Sequence, residues 1–212
     1  MKEKLKKIKI RIMRIPALTR LSNSIALYEW KRDSSINPPS IFKQKTVIGL
    51  ARKYNIRHLI ETGTYLGDMI CATKNTFDKI DSVELGRELY EGAVRRFRKE
   101  NHIKIWNGDS ALILMDMIKD SNEPVLFWLD AHYSGGKTAR STLGDTPIEK
   151  ELDIILNKWN EKSLILVDDA RCFTGKDGYR AIEDLKIMID KKPLNLDLKI
   201  ENDIITIKNR NL

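Results

Sequence analysis

Apolar and polar positions along residues 41–208 fall into a regular alternation of helix-like and strand-like segments. Ile41, Val47, Ile48 and Leu50 form an apolar stripe at helical spacing and predict a helix over 41–54. Short apolar runs at 57–61, 79–84, 103–106, 125–130 and 164–168 predict five strands, four of them ending on an acid. Helical periodicity returns between them at 66–74, 87–100, 110–119 and 148–159, and again at 179–190. Residues 196–201 and 204–208 predict a terminal hairpin turning at Asn202-Asp203. Strand and helix alternating in this way predict an α/β fold, a Rossmann-like, mostly parallel seven-stranded sheet with an antiparallel C-terminal hairpin strand. Ligands of such sheets bind beyond the carboxyl ends of the strands, so the polar strand ends are the place to look for chemistry.

The chain of 212 residues, 42% hydrophobic and 32% charged, has the composition of a globular protein. No apolar run approaches the length of a membrane span. Two cysteines, Cys71 and Cys172, cannot build a disulfide framework, which predicts a reducing, cytoplasmic setting. The net charge of +8 is unevenly placed. Residues 1–33 hold ten Lys or Arg against three acids, a net +7, and the remaining chain is nearly neutral. A basic arm and linker over 1–40 is therefore expected ahead of a domain over 41–212, with the Pro38-Pro39 region as punctuation. Leu5, Ile8, Ile12 and Ile15 share one helical face in the arm, and Pro16 disfavours helix at Ile15. Such an arm suits an anionic membrane surface, such as the inner membrane face; a solvated arm, or a subunit contact in a homo-oligomer, is the plainer reading. Charge confined to an arm rather than spread over a face argues against a nucleic-acid partner.

Glu61-Thr62-Gly63-Thr64-Tyr65-Leu66-Gly67 closes the first strand and opens a helix. Gly63 permits a tight turn and Gly67 close helix packing. The Gly-x-x-x-Gly spacing lacks the middle glycine that admits a pyrophosphate, and Glu61 would repel one. An acid there suits an ammonium or a water network; S-adenosylmethionine has no phosphate but carries an amino group and a sulfonium. Glu84, at the second strand end, can accept from both ribose hydroxyls. After the third strand, Asp109 could accept from an adenine amino group with Ser110 as helix cap, or both could serve as capping residues alone. Asp130 after the fourth strand and Asp168-Asp169 after the fifth would gather three anions, which calls for a cation such as Mg2+. The alternatives are that Asp130 orders the cofactor while Asp168 and Asp169 cap loops or pair with Arg171. His132 is the nearest base, Lys137 in the Ser134–Lys137 loop a second. Lys137, Arg140 and Arg171 could meet an anionic substrate or balance the aspartates.

Residues 57–208 resemble class I S-adenosylmethionine-dependent methyltransferases, closest to the catechol O-methyltransferase and sugar O-methyltransferase-like group. Their Glu-x-Gly-x-Tyr-x-Gly loop is met by Glu61, Gly63, Tyr65 and Gly67. The resemblance implies that these residues hold the methionine part, that Glu84 takes the ribose, and that Asp109 and Ser110 lie near adenine. It also implies that Asp130, Asp168 and Asp169 are metal ligands; the catalytic reading of Asp130 with His132 and Lys137 rests instead on their place at the fourth strand end and the loop after it. The lysine base of catechol-type enzymes is replaced here by Tyr133. The activity implied is O-methylation of a small hydroxylated acceptor, such as a sugar in polysaccharide or natural-product biosynthesis. An RNA or protein methyltransferase docking through the arm, and a non-catalytic interaction protein on the same fold, are the alternatives.

Overall fold

The computed structural model describes residues 16–33, 37–119, 121–131, 147–176 and 179–212, with side chains from residue 21 onward. It forms two compact units, Met1–Thr46 and Val47–Leu212.

The first unit contains a helix that the sequence pattern did not predict, α1, Pro16–Arg32. Pro16 does not stop a helix here; it starts one. At the first helical position its missing N–H is no loss, and its fixed φ already suits the helix. Lys31 and Arg32 in the last turn complement the helix dipole. Within this unit the Trp30 ring meets Phe42 at 4.3 Å between centroids. Phe42 belongs to α2, Ser40–Lys53.

The second unit is built on a seven-stranded sheet in the order β3-β2-β1-β4-β5-β7-β6. Its strands are β1 His58–Thr62, β2 Lys79–Glu84, β3 Ile103–Asn107, β4 Val125–Leu129, β5 Leu164–Val167, β6 Leu196–Glu201 and β7 Ile204–Asn209. The first five pair in parallel, whereas β7 runs antiparallel to both β5 and β6. This is the predicted sheet, with boundaries moved by a residue or two. The hairpin turn falls on Asn202 and Asp203, both at positive φ (50° and 64°), as a two-residue turn matched to strand twist requires.

The helices after α2 are α3 Asp68–Thr73, α4 Arg87–Phe97, α5 Ser110–Ile118, α6 Ile148–Asn157 and α7 Ile182–Asp190. Every residue of β1, β4 and β5 is buried, which explains the unbroken apolar runs of β4 and β5. One face of the sheet, including Ile60, Phe127 and Ile165, joins Leu114 of α5, Leu152 of α6 and Leu185 of α7 in a single core. The opposite parity, Leu59, Leu126, Trp128 and Leu164, is equally buried, as are Ile70 of α3 and Ala93 and Phe97 of α4. Beneath the strands, at their amino ends, buried His58 and Asp81 pair through Nε2 and Oδ2 at 2.9 Å, and Trp106 Nε1 donates to Asp81 Oδ1 at 2.8 Å. Burial opposes the Asp81 charge, but these partners and Lys79 win and hold its pKa below the usual carboxylate value. His58 is thus structural, away from the chemistry, as its position at a strand entrance suggested.

Candidate functional site

The parallel register sets the carboxyl ends of four strands along one rim: Thr62 lies opposite Val83 and Leu129, and Glu84 opposite Asn107. Between β1 and α3 the chain turns through three positive φ values, at Gly63 (88°), Tyr65 (47°) and Gly67 (73°). A Cβ on Gly63 would lie 2.6 Å from the Asp130 carbonyl oxygen, so only glycine lets β1 leave the sheet beside β4. A Cβ on Gly67 would strike the Phe97 ring at 2.6 Å; this glycine serves packing against α4. Arg96 clamps the same loop, donating to the Leu66 carbonyl and to Asp68 Oδ1 at 2.7 Å.

The amides of this loop are engaged by the protein. Gly63 and Thr64 both donate to Val83 O (3.0 and 3.2 Å), Gly67 to Thr64 O (2.8 Å), and Tyr65 to Glu84 Oε2 (2.8 Å). The loop therefore does not offer these N–H groups as a phosphate cradle, in keeping with the expectation from its glycine spacing. Glu84, expected at the ribose, already ties two turns together: its second oxygen accepts from Gly86 N at 2.8 Å. Each oxygen keeps a further lone pair for a ligand hydroxyl. Tyr65 has its side chain half exposed.

Glu61 is 2% exposed, and burial pushes its carboxyl up to about 8. A hydrogen bond from Ser82 Oγ (2.6 Å) pulls the other way, and the charges of Asp130, Glu84 and Asp68 raise it further. Thr64 Oγ1 completes the chain, 2.6 Å from Ser82 Oγ. Glu61 is thus a neutral acid at pH 7, close enough to Asp130 and Glu84 to feel both. A ligand cation reaching it would favour its ionisation.

At the third strand end, Asp109 rather than Ser110 is the helix cap: Asp109 Oδ1 accepts from Ala111 N at 3.0 Å. The Gly108 amide donates to Glu84 O at 3.1 Å, holding this turn against the second strand end. Ser110, the first residue of α5, is buried beside a residue that sequence reasoning missed. Glu151 of α6 is 1% exposed, and burial pushes it up to about 7. The Ser110 and Thr62 hydroxyls lower it and the Asp109 charge raises it. Yet neither Glu151 Oε1 nor Thr62 Oγ1 makes a well-formed hydrogen bond with a described group. On a helix with a clear apolar stripe, this acid carried no sequence signal separating it from the solvated glutamates around it.

Asp130, Asp168 and Asp169 converge after β4 and β5, with ligand oxygens all within 4.8 Å of one another. The Asp130 amide donates to Thr62 O and the Asp168 amide to Leu129 O, each at 3.0 Å, which extends the ladder to deliver both carboxylates to the rim. Asp169 sits in the left-handed region (φ 55°), and its amide donates to Asp168 Oδ1 at 2.8 Å. Arg171 Nη1 meets Asp169 Oδ1 at 2.9 Å and also pairs with Asp203, which ties the terminal hairpin to this segment. The trio is a cluster of oxygen donors, and one member, Asp169, is paired with Arg171, as one of the alternatives had it. Three acids with partly buried oxygens fit a hard divalent cation. Tyr179, also missed from sequence, lies near them; burial raises its phenol, and Cys172, Asp169 and Asp130 raise it further. The candidate bases His132 and Lys137, with Tyr133 and Arg140, lie outside the described residues.

No family model matches the chain, and no curated protein matches it. Solved structures do. The O-methyltransferase TomG of Streptomyces achromogenes, crystallised with S-adenosylmethionine, aligns with TM-score 0.61 and 15% identity over 95% of this chain and 94% of its own. The SAH-bound methyltransferase PaMTH1 of Podospora anserina gives 0.60 and 16% over 98% and 96%. A putative caffeoyl-CoA O-methyltransferase from Staphylococcus aureus gives 0.59 and 16% over 96% and 99%. At these identities the likeness is one of architecture: the chain has the Rossmann-like fold of class I S-adenosylmethionine-dependent methyltransferases.

Proposed function

We propose that the protein is an S-adenosylmethionine-dependent methyltransferase acting on a hydroxyl of a small acceptor. The observation that carries this reading is the convergence of Asp130, Asp168 and Asp169 within 4.8 Å on the rim where Gly63 packs against the Asp130 carbonyl. The fold of cofactor-bound methyltransferases and the internally bonded glycine loop support it. Glu61, neutral when the site is empty, would face the ammonium group, and Gly63 and Tyr65 would border the methionine part. Glu84 would accept from ribose hydroxyls, with Asp109 and Ser110 toward adenine. S-adenosylmethionine supplies an electrophilic methyl on a sulfonium. Asp130, Asp168 and Asp169 would hold a divalent ion such as Mg2+, whose chemistry when bound is to lower the pKa of an alcohol and fix its lone pair. The chain's own part is to orient the acceptor oxygen toward the methyl group and to take its proton, with His132 or Lys137 as the base. A sugar hydroxyl is our preferred acceptor, a preference supported by the sequence resemblance alone.

Calorimetric titration of the full chain with S-adenosylmethionine and, separately, NAD tests the cofactor. Binding of the first and not the second is expected; preference for NAD or failure to bind either overturns the reading. Mn2+ titration followed by electron paramagnetic resonance tests the metal. The wild type should bind the ion, and Asp168→Asn should weaken it by tenfold or more; equal affinity removes the trio as ligands.

A further inference from the structure

Helix α1 presents an exposed apolar stripe. Leu21, Ile25 and Tyr28, at spacings of four and three on one helical face, are 59%, 49% and 65% exposed. Leu21 and Ile25 also border a shallow hollow with Ser22, Ala26 and Glu29. On the opposite side of the helix, half a turn round, Trp30 packs on Phe42 at 4.3 Å. The helix therefore has an inner face engaged within its own unit and an outer face that is aliphatic and aromatic. The segment bearing it, residues 1–33, carries a net +7 despite Glu3, Glu29 and Asp33, while residues 34–212 carry +1.

Three occupants can be weighed by these properties. A second copy could cover Leu21 and Ile25, but pairing would bring two +7 segments together. A nucleic acid would answer the charge, yet it gains nothing from burying two aliphatic side chains. An anionic bilayer answers both. Its headgroups attract Lys and Arg, its acyl boundary accepts Leu and Ile, and Tyr is at home at the interface between them. No described helix is long and apolar enough to cross a membrane, so the contact is one of surface.

We propose that residues 1–33 dock the protein on anionic lipid bilayers, with Leu21, Ile25 and Tyr28 seated at the headgroup–acyl boundary. The docking is independent of the catalytic reading above.

The test is sedimentation of the full chain with vesicles of phosphatidylcholine alone and of phosphatidylcholine with phosphatidylserine, at low and high salt. Binding to the anionic vesicles, falling with salt, is expected. Ile25→Glu should weaken it about tenfold or more by removing apolar burial and adding a repelled charge. Ile25→Leu should retain it, which separates loss of contact from loss of folding. Changing Lys6, Lys7 and Lys9 to Gln should cost about a hundredfold. Thermal unfolding of the Ile25→Glu chain should match the wild type. The proposal is overturned by equal binding to neutral vesicles, by no binding to either, or by an Ile25→Glu variant that binds as well as the wild type. Tight, salt-sensitive RNA binding without vesicle binding would assign the arm to nucleic acid, and an Ile25-dependent dimer without vesicle binding would assign the stripe to a second copy.

Discussion

Glu61→Gln is the substitution whose outcome follows most directly from the structure. In the folded chain Glu61 is buried, accepts from Ser82 and holds its proton up to about pH 8. In the unfolded chain it ionises near 4.5. Between these values the folded state binds a proton that the unfolded state has released. Stability must therefore fall as pH rises through that window. From pH 5 to pH 8 the loss assigned to this one group is on the order of 3 kcal/mol. Glutamine keeps the shape and the acceptor for Ser82 but has no proton to lose. The stability of Glu61→Gln relative to wild type should accordingly improve by about 3 kcal/mol between pH 5 and pH 8. Comparing the two chains at each pH cancels the contribution of Glu151, which titrates in the same range. Urea unfolding of both proteins at pH 5, 6, 7 and 8 measures it. A stability difference between the two chains that is the same at every pH would refute a neutral, buried Glu61. The same substitution should weaken S-adenosylmethionine at least tenfold, because an amide cannot become the anion that an ammonium recruits. A gain in stability paired with a loss of cofactor affinity would mark Glu61 as an acid retained for binding.

Gly63→Ala forces a Cβ to within 2.6 Å of the Asp130 carbonyl at a φ of 88° and should cost about 2 kcal/mol or more in urea unfolding while abolishing cofactor binding by calorimetry. Gly67→Ala should destabilise by a similar amount through the Phe97 ring, and adding Phe97→Leu should recover part of that loss; a double variant no more stable than Gly67→Ala would place the strain in the backbone instead. Asp81→Asn weakens a buried pair with His58 and should cost about 3 kcal/mol at pH 7. Because the folded Asp81 pKa is lowered, its contribution is present above about pH 4 and lost as pH falls through the folded value, so acid unfolding of the wild type and variant should converge at low pH.

The sheet was legible because its strands left two clear marks. Val125–Leu129 and Leu164–Val167 are buried on both faces and so read as unbroken apolar runs. The polar residues that follow them fall just beyond the ladder, where backbone pairing has ended and side chains face the rim. The glycine loop was legible because a Cβ is excluded at Gly63 and Gly67. Helix α1 was not, since the rule for the residue before proline marks a boundary without saying on which side the helix lies. Glu151 and Tyr179 escaped notice because their relevance comes from burial beside Thr62, Ser110 and the aspartates, partners far away in the chain.

The order of residue types along the chain determined that strands and helices alternate, that the terminal hairpin reverses direction, and that acids stand at the strand tips, because periodicity and turn chemistry are local. What each acid does was decided only by folding. Parallel register placed Glu61, Glu84 and Asp130 on one rim, packing made Glu61 a neutral acid and Glu84 a tie between two turns, and the ladder carried Asp130 to within reach of Asp168 and Asp169. Proton affinity and ligand geometry depend on solvent exclusion and on neighbours from distant strands, quantities that exist only once the chain is packed.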